Sequence, residues 1–495
     1  MAWKTLGTTL ALTGTLVFAS SAFANGRFPR AQRFIESPTN TSLVALYGTY
    51  GLLVSSDAGR SWSNICEAAT GTYTGEDPLL EILPDGKIVA SAQTALVKSG
   101  GSWCDWTTIL DGSVDSVQDI TRSQANPLTI LALLGSYAQG RGFASQFVQS
   151  TDGGSTWSMP ASLPVIARAL SIDVAPSSQK RVVVTGLDAS GAGNLLVSDD
   201  GAATWQGKPL SMTNSSAAPY LAVISKNDPN RFFVRTDAYQ SINGTDTAND
   251  ALMLTLDGGS TWTTLIQKNA KLYGFALSPD ESTVLAGYGD PVASETYVAP
   301  GDLGIYRADV ATITSDLAHA STHFEKIYEA SVTCLRWTAT GLFACTSQTA
   351  VGFEVGKAAD ASFTLSNTNP FTPLLKLPEV RPLPCAQGTR GYTCYSDPTN
   401  GFASVCALFQ SSCDASPPPP MPHQRDAGLD ASVIPKTSSS DAAAGGAGGA
   451  PATPSKSGAS CACRSAGSRN ADATAPLLAF ALGVVLVRRR SKSAH

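Results

Sequence analysis

The sequence predicts an all-β fold, a β-propeller of about seven four-stranded blades, on three observations. Four short stretches repeat almost verbatim. The tryptophans that close them, together with Trp103, recur at intervals of 41 to 57 residues. Between them lie short apolar runs broken by Gly-, Ser- and Asp-rich turns, the pattern of many brief strands. The repeats are Ser55-Ser56-Asp57-Ala58-Gly59-Arg60-Ser61-Trp62, Ser150-Thr151-Asp152-Gly153-Gly154-Ser155-Thr156-Trp157, Ser198-Asp199-Asp200-Gly201-Ala202-Ala203-Thr204-Trp205 and Thr255-Leu256-Asp257-Gly258-Gly259-Ser260-Thr261-Trp262.

Each repeat reads as a tight turn between two strands. The aspartates Asp57, Asp152, Asp200 and Asp257 accept backbone N–H bonds, and the Ser/Thr hydroxyls close the remaining ones. Gly59, Gly154 and Gly259 supply positive φ, which the third copy must manage with Ala202. Trp62, Trp157, Trp205 and Trp262 open the following strand, and apolar triplets such as Leu52-Leu53-Val54 form the preceding one. A worn fifth copy ends at Ser102-Trp103, with Lys98 in the aspartate's place. Two more blades lack the turn: one runs from Leu272 to Ile327, the other from Val332 to Phe363, each with a phenylalanine where the others have tryptophan. The propeller then spans residues 25–380. One blade cannot bury both its faces, so ring closure must stabilise the fold. Arg27 to Ile35 is a candidate strand for the last blade.

The turns match the Asp-box (BNR) pattern Ser/Thr-x-Asp-x-Gly-x-Ser/Thr-Trp, and the chain resembles the Asp-box propellers. That group includes sialidases, xyloglucan-cleaving glucanases, sortilin-type receptors and photosystem-assembly factors, so the resemblance implies a fold and leaves function open.

The two ends imply export. Lys4, the apolar run Leu6 to Phe18 and Ser21-Ala22-Phe23-Ala24 read as a secretory signal (residues 1–24) cut after Ala24. Outside the cytoplasm, pairing is the default for the ten cysteines. A Cys66–Cys104 bridge between adjacent blades and a Cys334–Cys345 bridge within one are expected. Cys385, Cys394, Cys406 and Cys413 read as a compact module at residues 381–414, with three pairings open; the lack of a Cys-x-x-Cys pair speaks against zinc. Residues 415–460 form a Pro/Ser/Ala/Gly-rich tether. The segment 461–495 then carries Cys461, Cys463, an apolar stretch from Ala473 to Val487 and Arg488-Arg489-Arg490. As a helix that stretch spans about 22 Å, short for a bilayer crossing. The order of tether, cysteine, short apolar helix and arginines resembles the C-terminal sorting signal of myxobacterial surface proteins (MYXO-CTERM). The resemblance implies removal of the helix near Cys461 or Cys463 and retention at the cell surface, an uncleaved tail anchor being the alternative.

Composition narrows the function. Charged residues make up 15% and the formal net charge is −5, which gives no basic footprint for nucleic acid. A sialidase needs an arginine cluster around the substrate carboxylate. The inner strands offer Arg168 and Arg336 without a convincing third, and Arg27-Phe28-Pro29-Arg30 only echoes the family's early signature. Glu36, Glu81, Asp119 and Asp173 face the channel and could flank a glycosidic bond, or be channel residues with no chemistry. His319 and His323 would share one face of a short helix and could bind metal, but no third ligand is near. No Gly-x-Ser-x-Gly, phosphate loop or His-Glu-x-x-His occurs. The polar insertions at residues 135–145, 188–194, 237–249 and 290–302 suit hydrogen bonding to a polysaccharide or a surface protein. The expectation is a monomeric, cofactor-free, surface-anchored binding or adhesion propeller that touches the membrane through its C-terminal anchor. The alternatives are a secreted glycoside hydrolase or an extracytoplasmic assembly factor. A propeller followed by a cysteine-rich module and a stalk is also similar to the plan of sortilin-type receptors.

Overall fold

The computed structural model divides the chain into two units, residues 1–424 and 425–495. It describes residues 31–397 apart from 49, 73–77, 93, 112–115, 139–141, 161, 213–216, 243–244, 291–299 and 347–350. The signal segment, Cys406, Cys413, the tether, and Cys461 and Cys463 lie outside the described residues.

Seven antiparallel sheets follow one another along the chain. Their first strands are Ala31–Glu36, Leu80–Ile82, Ser116–Arg122, Arg168–Val174, Ala218–Ile224, Lys271–Leu277 and Cys334–Thr338. These strands pack on their counterparts in neighbouring blades, except that the sixth blade's packs on the second and third strands of the fifth, and that of the seventh blade packs on that of the first, so they ring a central channel. Six blades have four strands; in the third, the fourth strand is reduced to a bridge between Gln149 and Ser158. Strands are buried on both faces because each sheet is sandwiched between two others, as in Val44–Gly48 and Gly51–Ser55, where every described side chain is covered.

The repeat turns join the third and fourth strands of four blades. In the first, the Ser55 hydroxyl donates to Asp57 Oδ1 (2.8 Å), the Arg60 and Ser61 N–H groups donate to the same oxygen (2.9 Å each), and the Ser61 hydroxyl donates to Oδ2 (2.6 Å). The turns at Asp152, Asp200 and Asp257 use the corresponding hydroxyl and N–H donors. Bonds from Thr204 and Ser198 hold Asp200 down at about 2; at Asp257 burial pushes upward and is outweighed by Thr261 and Thr255, again leaving about 2. Ala202 takes the left-handed conformation (φ 71°) that glycine supplies elsewhere. In the second blade the tryptophan's place belongs to Trp106, not Trp103. Trp106 opens the fourth strand, is buried, and donates Nε1–H to the Trp103 carbonyl three residues back, as Trp62 does to Gly59. In the seventh blade, Phe371, packed on Phe363, immediately precedes the fourth strand Thr372–Leu375.

Ring closure differs from the expectation in two ways. First, Ala31–Glu36 does not complete the last blade; it is the innermost strand of the first. It meets the seventh blade face to face: Phe34 stacks on Phe343 with centroids 4.4 Å apart, the Ala31 N–H donates to Glu354 (3.1 Å), and the Thr333 hydroxyl donates to the Ala31 carbonyl. Trp62 Nε1–H also reaches the Leu374 carbonyl across the seam, at 3.2 Å. Second, the chain leaving the seventh blade straps the outside of the first. Arg381–Pro382 pairs parallel with Ser63–Asn64, and Leu383 N–H donates to the Asn64 carbonyl (2.9 Å).

The disulfides complete the strap. Cys66 and Cys104 do not bond each other, and Cys385 and Cys394 are not paired within a separate module. Cys66 bonds Cys394 and Cys104 bonds Cys385, riveting the strap to the first two blades. Cys334 bonds Cys345 between neighbouring strands. Gly391 is required where the strap touches down: a Cβ there would sit 2.4 Å from Cys385 Sγ and 3.1 Å from the Cys104 Cα. Cys385→Ser and Cys394→Ser each release a link between residues 281 and 328 apart, against 11 for Cys334–Cys345. Chain entropy sets the long links at about 5–6 kcal/mol and the short one at about 3 kcal/mol or less. Denaturant midpoints of the single Cys→Ser variants should fall in that order. Equal losses would mean that the strap does not hold the ring.

Candidate binding faces and channel

Because strands alternate in direction, first-to-second and third-to-fourth connections emerge on one face and second-to-third connections on the other. The repeat turns occupy the first face. All four polar insertions join second and third strands, so they share the opposite face. Most of the stretch at 135–145 is not loop: Ile130–Ala138 and Gly142–Ser150 run on as a long two-stranded ribbon. The insertion at 237–249 is likewise a hairpin, Tyr239–Ile242 against Thr245–Ala248. At 188–194 the Asp188 carboxylate holds a turn, accepting from Ser190 and Ala192 N–H and from the Asn194 amide. Most of 290–302 lies outside the described residues.

The insert-bearing face displays tyrosines and guanidinium–ring pairs. Tyr137, Tyr239 and Tyr273 are 61%, 46% and 36% exposed. The Arg168 guanidinium lies 5.3 Å from the Phe143 centroid, Arg235 lies 4.6 Å from Tyr220, and Lys271 Nζ lies 3.4 Å from Tyr239. Lys271 is held in turn by Asp237 (2.5 Å) and Asp250 (3.4 Å). These rings stand on rigid strands and hairpins.

The channel is lined by charge. Glu81, its side chain 13% exposed, faces Arg33 at 3.8 Å and Arg122 at 3.6 Å. Arg336 turns its head to the channel, touching its solvent yet crowded by protein on every side. So three arginines on first strands, Arg33, Arg122 and Arg336, converge where the sequence offered Arg168 and Arg336 alone. Arg168 sits instead at the rim. Arg33 and Arg122 were missed because they belong to a set only when the ring brings blades one, three and seven together.

Asp119 and Asp173 fasten neighbouring first strands. The Ser171 hydroxyl (3.0 Å) and Ile172 N–H (2.9 Å) donate to Asp119, and the Thr121 hydroxyl (3.0 Å) donates to Asp173. The period-two pairs Asp119-x-Thr121 and Ser171-x-Asp173 thus cross-link blades three and four reciprocally. Burial raises Glu81 against the pull of Arg33, Arg122 and Arg336, and it raises Asp119 against Arg33 and its N–H and hydroxyl donors. Burial carries Asp173 to about 6, its own hydrogen bonds opposing and the charges of Asp119 and Glu81 adding. Glu36, at the far end of the first strand, is also raised by burial, against Arg336 and Lys357.

On the turn-bearing face the channel widens into a cavity of about 550 Å³, lined among others by Glu36, Arg122, Phe275, Arg336 and Trp337. His319 and His323 are on this face too, in a 3₁₀ segment, Leu317–His323, that replaces a repeat turn. Both rings bond Asp316, at 2.9 and 3.2 Å. No group of three metal-binding side chains occurs among the described residues.

No protein-family model and no curated protein matches this chain. Solved structures do. A GH74 enzyme from Niastella koreensis matches at 15% identity over 69% of this chain and 69% of its own, with a TM-score of 0.34. The α-L-arabinofuranosidase Arb93A from Fusarium graminearum matches at 11% over 68% and 96%, with a TM-score of 0.38. The GH74 xyloglucanase from Xanthomonas campestris matches at 14% over 68% and 57%, with a TM-score of 0.27. At these identities and TM-scores the likeness assigns no activity to this chain.

The raised carboxyl of Asp173 makes a pH prediction. An acid whose folded pKa lies above its unfolded value opposes folding at high pH, and the penalty disappears below the unfolded value. Asp173→Asn should therefore stabilise the protein above pH 6, by roughly 1–3 kcal/mol, with the gain fading between pH 6 and 4. Melting temperatures of both proteins across that range measure it. A gain independent of pH would place the cause elsewhere.

Proposed function

We propose that the protein is an exported Asp-box propeller that binds a polysaccharide on its insert-bearing face without cleaving it. The observation that carries this reading is the exposure of Tyr137, Tyr239 and Tyr273 on the one face that also holds the polar insertions and the stacked arginines. Sugar rings offer apolar C–H faces edged by hydroxyls. Exposed tyrosines with neighbouring Arg, Asp and backbone groups match both features at low entropic cost, since their positions are already fixed. Three disulfides suit an oxidising compartment. The tail supports retention at the cell surface through processing near Cys461 or Cys463. Mass spectrometry of the mature C-terminus tests that part: an intact Arg488-Arg489-Arg490 end rules out processing.

Affinity electrophoresis of the propeller against a panel of neutral and acidic polysaccharides tests the binding face. The variant Tyr137→Ala/Tyr239→Ala/Tyr273→Ala should weaken retention tenfold or more, at about 1 kcal/mol per stacked ring, with the melting temperature preserved. Unchanged retention would sink the reading.

Glycoside hydrolysis is the second reading, favoured by a specific observation: Glu81, Asp119 and Asp173 form one raised carboxyl cluster, and a carboxyl near neutrality can act as general acid. Against it, Asp119 and Asp173 are spent on strand-to-strand bonds and Glu81 on arginines. Reducing ends released by the wild type and lost in Asp173→Asn would establish hydrolysis and displace the binding reading.

A further inference from the structure

The third blade has an outer edge unlike the rest. In blades two, four, five, six and seven the outermost strand is four to six residues long and carries a charge or a proline, namely Asp111, Lys208, Lys268, Glu325 and Pro373 in turn. The edge of blade one is covered by the strap. In blade three the fourth strand stops after its single bridge, which leaves the nine-residue strand Gly142–Ser150 outermost, with neither charge nor proline. Sheets commonly blunt their edges with short strands, charges or prolines, because an open row of N–H and C=O groups pairs with another strand that reaches it.

The pairing ends for a local reason. Gln149 and Ser158 exchange both main-chain bonds, at 2.8 Å each. The next pair along would set Phe147 against Pro160, which has no N–H to give. Strand alternation turns the N–H and C=O groups of Phe147, Ser145 and Phe143 to the same open side as those of Gln149. Among the described residues no hydrogen bond meets them there. Between them, Ala144 and Gln146 hold exposed side chains. Apolar side chains stand at both ends of the edge: Tyr137, opposite Phe143 in the ribbon, is 61% exposed, and Met159, next to the bridge, is 68% exposed.

We propose that this edge pairs with the same edge of a second copy of the chain, antiparallel about a twofold axis at Ser145. The strand is complementary to itself. An axis at Ser145 sets Phe143 against Phe147 of the second copy and Ser145 against its own counterpart, so each outward N–H meets an outward C=O and roughly six main-chain bonds form. No charged side chain on the strand repels its twin. The same rotation carries the Tyr137 end of one copy to the Met159 end of the other, so exposed apolar groups meet at both ends of the junction. A foreign strand would use the main-chain groups without that match at the ends. The pairing goes beyond the polysaccharide reading and stands without it.

Sedimentation equilibrium of the full chain tests the proposal, in nonionic detergent on account of the apolar stretch from Ala473 to Val487. The wild type should show a monomer–dimer equilibrium with a Kd on the order of 10 μM, as suits a contact built on one pair of strands. Ala144→Lys/Gln146→Lys sets like charges opposite each other across the axis, so Kd should rise about tenfold or more. Both side chains are exposed, so the melting temperature should not change. Ala144→Glu/Gln146→Glu should be weakened equally by itself, and mixing it with the lysine variant should restore dimerisation through a heterodimer. That rescue reports contact at this edge and would not follow from a merely structural role. A wild type still monomeric at about 100 μM overturns the proposal and leaves the edge to a strand of another protein. A dimer that the lysine variant leaves intact, or a mixture no tighter than either variant, overturns it by placing the contact elsewhere.

Discussion

Everything in this molecule depends on the seventh blade meeting the first. A blade sheet is apolar on both faces, so each is stable only when both neighbours cover it, and a ring of seven has one seam where the neighbours are remote in sequence. Here the seam is made by surface contact: Phe34 on Phe343, Ala31 bonded to Glu354 and Thr333, and Trp62 bonded to Leu374. Among the described residues no strand of either blade enters the other's sheet. The strap supplies the missing interlock from outside, laying Arg381–Pro382 along the edge of blade one and fixing Cys385 and Cys394 to blades two and one. That also covers an exposed strand edge, which would otherwise invite pairing with another chain.

The seam explains which features were legible in the sequence. The repeat turns are local: Ser55 to Trp62 contains nearly every donor and acceptor the turn needs, so the residues announce it. Blade length is local as well, and seven blades could be counted, including the two without turns. The strap was not legible, because nothing near Cys66 indicates a partner at Cys394, 328 residues on. Proximity along the chain suggested Cys104 instead. Trp103 misled for a related reason. It keeps the motif's letters, while the strand begins three residues later at Trp106, which repeats the N–H bond that Trp62 makes in the first blade.

The channel shows the same division between local and assembled. Individual carboxylates on first strands could be found by position, but their meaning came from neighbours on other blades. Asp119 and Asp173 look like a catalytic pair on paper; in the ring, each accepts from the strand beside it. Arg33 and Arg122 had no local mark, since they join Arg336 only around a closed circle. Seven short strands brought to one axis concentrate whatever charge they carry, and the low polarisability of the surroundings then raises the carboxyls and favours pairing with guanidinium groups.

The two mouths of the channel differ in chemical character. Toward the insert-bearing face the charges are matched to rings or to carboxylates, as with Arg235 on Tyr220 and Lys271 between Asp237 and Asp250, and the surface offers aromatic groups standing on strands. Toward the turn-bearing face the repeat turns close on themselves, their aspartates saturated by their own hydroxyls and N–H groups, so they contribute rigidity and little recognition. What they surround is concave, lined among others by Glu36, Arg122 and Arg336.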